Sequence, residues 1–419
     1  MQDKKDSDSR YHYPAAKQAP PNYSADSLFM TYLFRIALGN HMSTSNKNTA
    51  NPLAKAAELG QSLWLDYIQR SMFASGELDR YIDDDQLRGM TSNPSIFENA
   101  IANTDEYDAE IETIVRQSPG ITAMEVFKQL AVSDIGKAAD AFKATYQNSR
   151  GDDGMVSLEV SPNLAHDAEH TIEEAIELHG LLRRDNVMIK VPGTKAGVSA
   201  FEELTARGIS VNVTLLFSVQ RYKEIVQAYI KGLERRVAEN QPIDKIASVA
   251  SFFVSRVDTT VDQLLDEHSN KDIAKSIKGK VAIDNAKVAY SYYQNMFNSP
   301  QFAKLAGVGA IPQRLLWAST GTKNPDYSDV YYVEELMGPN TVNTIPPKTM
   351  DAFRDHGKVE NRLEAGLQDA QSTLDTLNQL GINLNEITDK LEEDGVASFS
   401  EAFDRLLNAI DSESSKYHS

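Results

Sequence analysis

The chain contains no cysteine. That excludes disulfides, thiolate nucleophiles and thiolate metal sites at once, and it fits a reducing compartment. Long apolar runs are missing too. A membrane-spanning helix needs roughly 20 consecutive apolar residues; the nearest approach, Leu28 to Leu38, is short and interrupted by Arg35. A secretory leader is poorly served, because Lys4 and Lys5 are offset by Asp3, Asp6 and Asp8. Positive charge is scarce: 42 Lys+Arg stand against 60 Asp+Glu, a formal net charge of −18. Such a surface disfavours nonspecific attraction to nucleic acid or anionic lipid. It leaves room for a small phosphorylated ligand, which needs only a local pocket of donors. The expectation is a cytoplasmic protein with neither nucleic acid nor membrane as partner.

At 419 residues the chain can bury a sizeable core, as one large domain or two. Residues 1–55 are polar, punctuated by Pro14, Pro20 and Pro21 and by a Ser/Asn/Thr stretch from Ser43 to Asn51. With no sustained period, they read as a disordered extension, and Met42 offers an alternative start. Residues 56–419 behave differently. Apolar runs rich in Val, Ile and Leu recur at Ser62-Asp66, Arg88-Ser92, Val156-Val160, Val187-Val191, Ile209-Leu215, Ile246-Ser251, Arg314-Ser319 and Thr341-Ile345. Amphipathic stretches separate them, clearest in Asp167-His179, Val219-Arg236 and Val257-His268. Runs without polar alternation suit parallel strands buried on both faces. Eight strand-helix repeats predict an α/β fold, the (β/α)8 TIM barrel. An open doubly wound sheet is the runner-up, but the first strand is followed by Leu65-Asp66-Tyr67-Ile68 rather than a Gly-rich turn. Beyond Thr349 the pattern predicts helices over Met350-Phe353, Leu363-Leu380 and Phe399-Ile410, separated by Gly381 and Gly395 and packed on the barrel.

Catalytic groups of a parallel barrel come from the C-terminal ends of its strands. Here those ends carry Asp66, Asn93, Glu159, Lys190, Asn212 with Thr214, Ser251 and Ser319. Lys190 is the sharpest, set in Val187-Met188-Ile189-Lys190-Val191-Pro192. Charge in such a strand is costly unless paired or neutralised. An ordinary lysine is only ~0.04% unprotonated at pH 7, and the neutral amine is the form that attacks a ketone. Two readings stay open: a nucleophile, or a strand-end lysine paired with Glu159 or Asp66. The two carboxylates likewise suit either proton handling or charge pairing. Asn212 and Thr214 face the same side of their strand and fit a bound water, substrate hydroxyls or a polar barrel layer.

Ser251 through Arg256 and Ser319-Thr320-Gly321-Thr322-Lys323 are the phosphate candidates, because loops late in a barrel offer amides, hydroxyls and cations. The eight histidines show no metal-ligand spacing; His166 and His170 lie four apart on a helix start, so no metal site is expected. Asp83-Asp84-Asp85 reads as a solvated helix end. Tyr290, Tyr292, Tyr293 and Phe297 read as core or subunit contact.

Several segments together resemble transaldolases: Leu63-Trp64-Leu65-Asp66, Thr91-Ser92-Asn93-Pro94-Ser95-Ile96-Phe97, Ser157-Leu158-Glu159-Val160, Ile189-Lys190-Val191-Pro192 and Asn212-Val213-Thr214-Leu215-Leu216-Phe217-Ser218. The resemblance runs from about Leu59 to Ile410 and is to the longer bacterial-type branch. It implies a Schiff base on Lys190 on the fourth strand. Asp66, Glu159 and Thr214 would move protons, with a water between Glu159 and Thr214. Asn93, Asn212 and Ser251 would contact the dihydroxyacetone carbons, and Arg256 and Ser319 the phosphate. Short-branch relatives carry an arginine two positions after that serine; here Gly321 stands there, and Lys323 is the candidate replacement. The implied activity transfers dihydroxyacetone between sugar phosphates in the pentose phosphate pathway, with no cofactor. A two-carboxylate glycosidase using Asp66 and Glu159, a non-catalytic sugar-phosphate-binding barrel and a simple aldolase are the alternatives.

Overall fold

The computed structural model describes residues 51–417. At its centre are eight parallel strands: β1 Gln61–Asp66, β2 Gly89–Thr91, β3 Met155–Glu159, β4 Val187–Pro192, β5 Val211–Leu216, β6 Ser248–Phe253, β7 Arg314–Ala318 and β8 Thr341–Ile345. Each pairs with its neighbours in sequence, and β1 closes on β8 with Gln61 beside Thr341 and Leu65 beside Ile345. Closure leaves no free edge, which rules out the open doubly wound sheet. All eight apolar runs overlap a strand, for the expected reason: residues in β4, β5 and β6 are buried on both faces.

Helices wrap the outside. Ala168–Leu182 and Val219–Ala238 follow β3 and β5, their starts fixed by Asp167 and Ser218, whose side chains accept from His170 and Arg221 N–H groups. Caps of this kind contribute about 1 kcal/mol each. Tyr290, Tyr293 and Phe297 belong to the core: the tyrosine rings stack at 5.8 Å, and Tyr293 meets Phe297 at 5.1 Å.

Three sequence expectations change. A helix over Pro52–Leu59 precedes β1 and is capped by Asn51, so it starts inside the range read as an extension. The remainder of that range, with the Leu28 to Leu38 run and Met42, lies outside the described residues. Asp85 is no solvated helix end. It is 6% exposed, held by Arg354 at 2.7 Å and by Asn51 Nδ2 at 2.7 Å, because the helix Pro347–His356 folds back against it. Gly395 does not separate two helices: one continuous helix runs Leu384–Ser414 through it. Glycine weakens a helix interior, but a Cβ at residue 395 would lie 3.0 Å from Leu215 Cδ2 and 3.7 Å from an Arg256 nitrogen. The bare backbone lets this helix lie close against the end of β5. Among the described residues, no helix is long and apolar enough to cross a membrane.

Candidate active site

Parallel strands bring their C-terminal residues to one mouth, and register decides which of them meet. Glu159 on β3 sits beside Lys190 on β4, and Lys190 beside Asn212 on β5. Lys190 is 5% exposed and Glu159 7%. The Lys190 Nζ lies 3.3 Å from Glu159 Oε2 and donates to the Ser92 carbonyl at 3.1 Å. Burial pushes the Glu159 carboxyl up to about 7; Lys190 opposes that rise and Asp66 adds to it. Asp66, at the end of β1, is also raised by desolvation, against the pull of Lys190 and of Thr91. Thr91 Oγ1 donates to Asp66 Oδ1 at 2.6 Å and shares a 2.7 Å hydrogen bond with Thr344 Oγ1.

The paired geometry is therefore the one Lys190 adopts, but pairing and chemistry are compatible. Desolvation offsets much of the Coulombic gain of a buried ion pair, so stability alone does not account for this one. A carboxyl that titrates near neutrality beside an amine can accept or return a proton during reaction. Both Glu159 oxygens lack an aligned hydrogen bond, and so does the Thr214 hydroxyl, although all three are buried.

Next to the lysine, a second group is fully bonded. Ser251 Oγ donates to Asn212 Oδ1 at 2.6 Å, and Asn212 Nδ2 donates to Ser157 Oγ at 3.1 Å. This ties β3, β5 and β6 across the barrel interior. Asn93, just past β2, uses its Oδ1 to cap the helix Pro94–Ala102 through Ile96 N–H at 3.0 Å.

The phosphate candidates form a third group. Ser319 follows β7 in a left-handed conformation (φ 56°), and its hydroxyl lies 3.0 Å from that of Ser255, the first residue of the helix Ser255–Glu267. Arg256 is half-buried, its guanidinium 5.4 Å from the Phe253 ring centre, with no carboxylate partner among the described residues. Desolvation lowers the Arg256 pKa. Lys323 is lowered by desolvation and then by the charge of Arg256, so the two cations share a neighbourhood. Arg256 stands in the first turn of that helix and Lys323 in the loop after β7, an arrangement able to receive an anion.

Sequence reasoning gave no role to Ser157, Thr91, Thr344 or the Ser92 carbonyl. Ser157 was within reach, standing two residues before Glu159 on the same strand face. Phe399, whose ring centre lies 5.9 Å from Lys190 Nζ, carried no local signal.

A closed parallel barrel with an enclosed lysine and two carboxyls of raised pKa at its mouth has the parts of a class: barrel enzymes equipped for amine nucleophilic catalysis. The transaldolase/fructose-6-phosphate aldolase family model matches residues 63–410. A transaldolase of Trichodesmium erythraeum (strain IMS101) is 45% identical over 370 residues, spanning 86% of this chain and 97% of its own length. Transaldolase 2 of Nostoc sp. (strain PCC 7120) is 46% identical over 371 residues, with the same coverage. A transaldolase of Mycobacterium tuberculosis (strain H37Rv) is 43% identical over 368 residues, spanning 87% of this chain and 97% of its own length. The chain belongs to the transaldolase/fructose-6-phosphate aldolase family.

Proposed function

We propose that this enzyme is a transaldolase acting in the cytoplasm, in the non-oxidative pentose phosphate pathway. It interconverts sedoheptulose 7-phosphate plus glyceraldehyde 3-phosphate with erythrose 4-phosphate plus fructose 6-phosphate. The observation that carries this reading is the buried Lys190–Glu159 pair, 3.3 Å apart, in a chain of this family.

The Lys190 amine adds to the ketose carbonyl, and loss of water gives an iminium ion. Glu159, titrating near neutrality, exchanges the protons of that addition and dehydration through a water bonded to Thr214. The iminium draws electrons from the neighbouring carbon–carbon bond. Asp66 takes the proton of the C4 hydroxyl, the bond breaks and an aldose phosphate leaves. Asn93, Asn212 and Ser251 hold the hydroxyls of the remaining three-carbon enamine. Arg256, Ser319 and Lys323 hold the phosphate at the start of the helix Ser255–Glu267. The enamine then adds to a second aldose phosphate, and hydrolysis of the new iminium releases the product. None of these steps calls for a metal or a redox cofactor.

Borohydride reduction in the presence of fructose 6-phosphate, followed by peptide mapping, tests the assignment. A three-carbon adduct on Lys190 is expected, and Lys190→Met should abolish both adduct and turnover. A folded protein that binds the sugar without forming an adduct would favour a binding role and end the Schiff-base assignment.

A further inference from the structure

The helix Leu384–Ser414 does more than pack on the barrel. Gly395, Phe399 and Phe403 recur at four-residue spacing and form one stripe along it. Gly395 rests against Leu215 at the end of β5 and near Arg256. Phe403 meets Phe127 edge-on at 5.2 Å, and Phe127 meets Phe97 at 5.4 Å. Polar ties hold the same helix to the barrel's loops: Glu392 to Arg221 at 3.3 Å, Asp404 to Asn163 at 3.2 Å and Arg405 to Glu98 at 2.6 Å. These contacts belong to segments following β2, β3 and β5, so the helix crosses the mouth between them. Phe399 stands midway along the stripe, 5% exposed, its ring centre 5.9 Å from Lys190 Nζ. It has no titratable atom and makes no hydrogen bond, so any part it plays is in what it excludes.

We propose that Phe399 is a specificity-determining residue that walls the lysine-bound three-carbon unit off from bulk water, so that an aldose acceptor takes it. The proposal rests on the Schiff-base reading of Lys190. Two fates compete for the enamine. In transfer, its nucleophilic carbon bonds to the acceptor's aldehyde carbon, the aldehyde oxygen takes a proton, and one water hydrolyses the new iminium to free the ketose and the lysine amine. In simple cleavage, that carbon takes a proton instead. Water then adds to the resulting iminium, the carbon–nitrogen bond breaks, and free dihydroxyacetone and the lysine amine are released, one water being consumed overall from the enamine. Both routes end with water adding to an iminium, so they part at the enamine carbon, and a ring 5.9 Å from the lysine nitrogen hinders delivery of a solvent proton to that carbon. Exclusion of water from a closed site suppresses side reactions of this kind.

The test compares free dihydroxyacetone released from fructose 6-phosphate alone with transfer to erythrose 4-phosphate. Phe399→Ala should raise the release-to-transfer ratio by about tenfold or more, and Phe399→Leu, which keeps apolar bulk, by less. Both variants should still give the borohydride adduct on Lys190. Ratios unchanged in both variants, with adducts formed normally, would overturn the proposal and leave Phe399 a packing residue. A parallel fall in release and transfer overturns it equally. Should Phe399→Ala fail to fold, Phe399→Leu decides by the same ratio. A wild-type protein that forms no adduct refutes the Schiff-base reading itself, and the proposal falls with it.

Discussion

Replacing Gly197 with alanine should damage both the fold and the site. Gly197 lies in the first turn of the helix Lys195–Ala206, where its N–H donates to the capping Thr194 hydroxyl at 3.0 Å. A Cβ there would fall 1.8 Å from the carbonyl oxygen of Pro192 and 3.0 Å from its carbonyl carbon. Carbon–oxygen contacts of this type sit at about 3.3–3.6 Å, so a gap of more than about 1 Å must open. The obstacle is backbone, and no rotamer change relieves it. Overpacking costs typically about 1–3 kcal/mol, and rigid overlap belongs at the upper end of that range. Alanine's helix preference offsets about 1 kcal/mol, leaving a net loss of about 2 kcal/mol. Pro192 ends β4 two residues beyond Lys190, so relief by strand movement displaces the amine. Misplacing a reacting group by 1 Å costs about 100-fold in rate. Urea denaturation should show a lower midpoint with unchanged slope, and kcat should fall by about that factor. Gly180→Ala is the control: exposed in the helix Ala168–Leu182 with no atom within 4 Å, it should gain about 0.5–1 kcal/mol. A Gly197→Ala protein with the wild-type midpoint and kcat would refute the overlap and its consequence for Lys190.

Three other perturbations read separate parts of the molecule. If ionised Glu159 accepts the proton that frees the amine, kcat/KM should rise with pH through about 7, and Glu159→Gln should remove that limb; a variant that keeps the limb would assign it to another group. Arg256→Ala should raise KM for fructose 6-phosphate by roughly 10–100-fold, as expected for loss of a charge-assisted hydrogen bond. The exposed Lys323, changed to Ala, should cost only about a few-fold, and the reverse ranking in steady-state kinetics would contradict the phosphate assignment. Asp258, 1% exposed, is pushed up to about 7 by burial against hydrogen bonds from Ala282 N–H and Tyr332. Since its folded-state value lies above the unfolded one, its stabilising contribution is complete below pH 3.8 and is lost as pH rises through about 7. Relative to wild type, Asp258→Asn should therefore gain stability between pH 4 and pH 8, by at most roughly 4 kcal/mol; parallel denaturation curves across that range would argue against the shift.

Much of the site was legible because its residues advertise themselves locally. Lys190 interrupts an apolar run, and Asp66 and Glu159 end two others, which reads without any knowledge of partners. Asn93 shows the limit of such reading: its position after β2 was evident, but its work as a helix cap depends on the turn it enters. Asp85 misled because three consecutive acids suggest solvent until Arg354 arrives from the far end of the chain. Gly395 misled because glycine in a helix pattern signals a break unless another backbone or side chain lies too close for a Cβ.

Sequence alone determined the eight strands, the single end at which their polar residues gather and the identity of the nucleophile candidate. These follow from hydrophobic periodicity and from the common direction of parallel strands, properties of short segments. Only the tertiary structure decided that Glu159 stands beside Lys190, that Thr91 bonds both Asp66 and Thr344, and that the Phe399 ring centre lies 5.9 Å from the amine. Register and barrel closure bring those partners together across long stretches of chain, and no local pattern encodes the distance between two side chains that far apart.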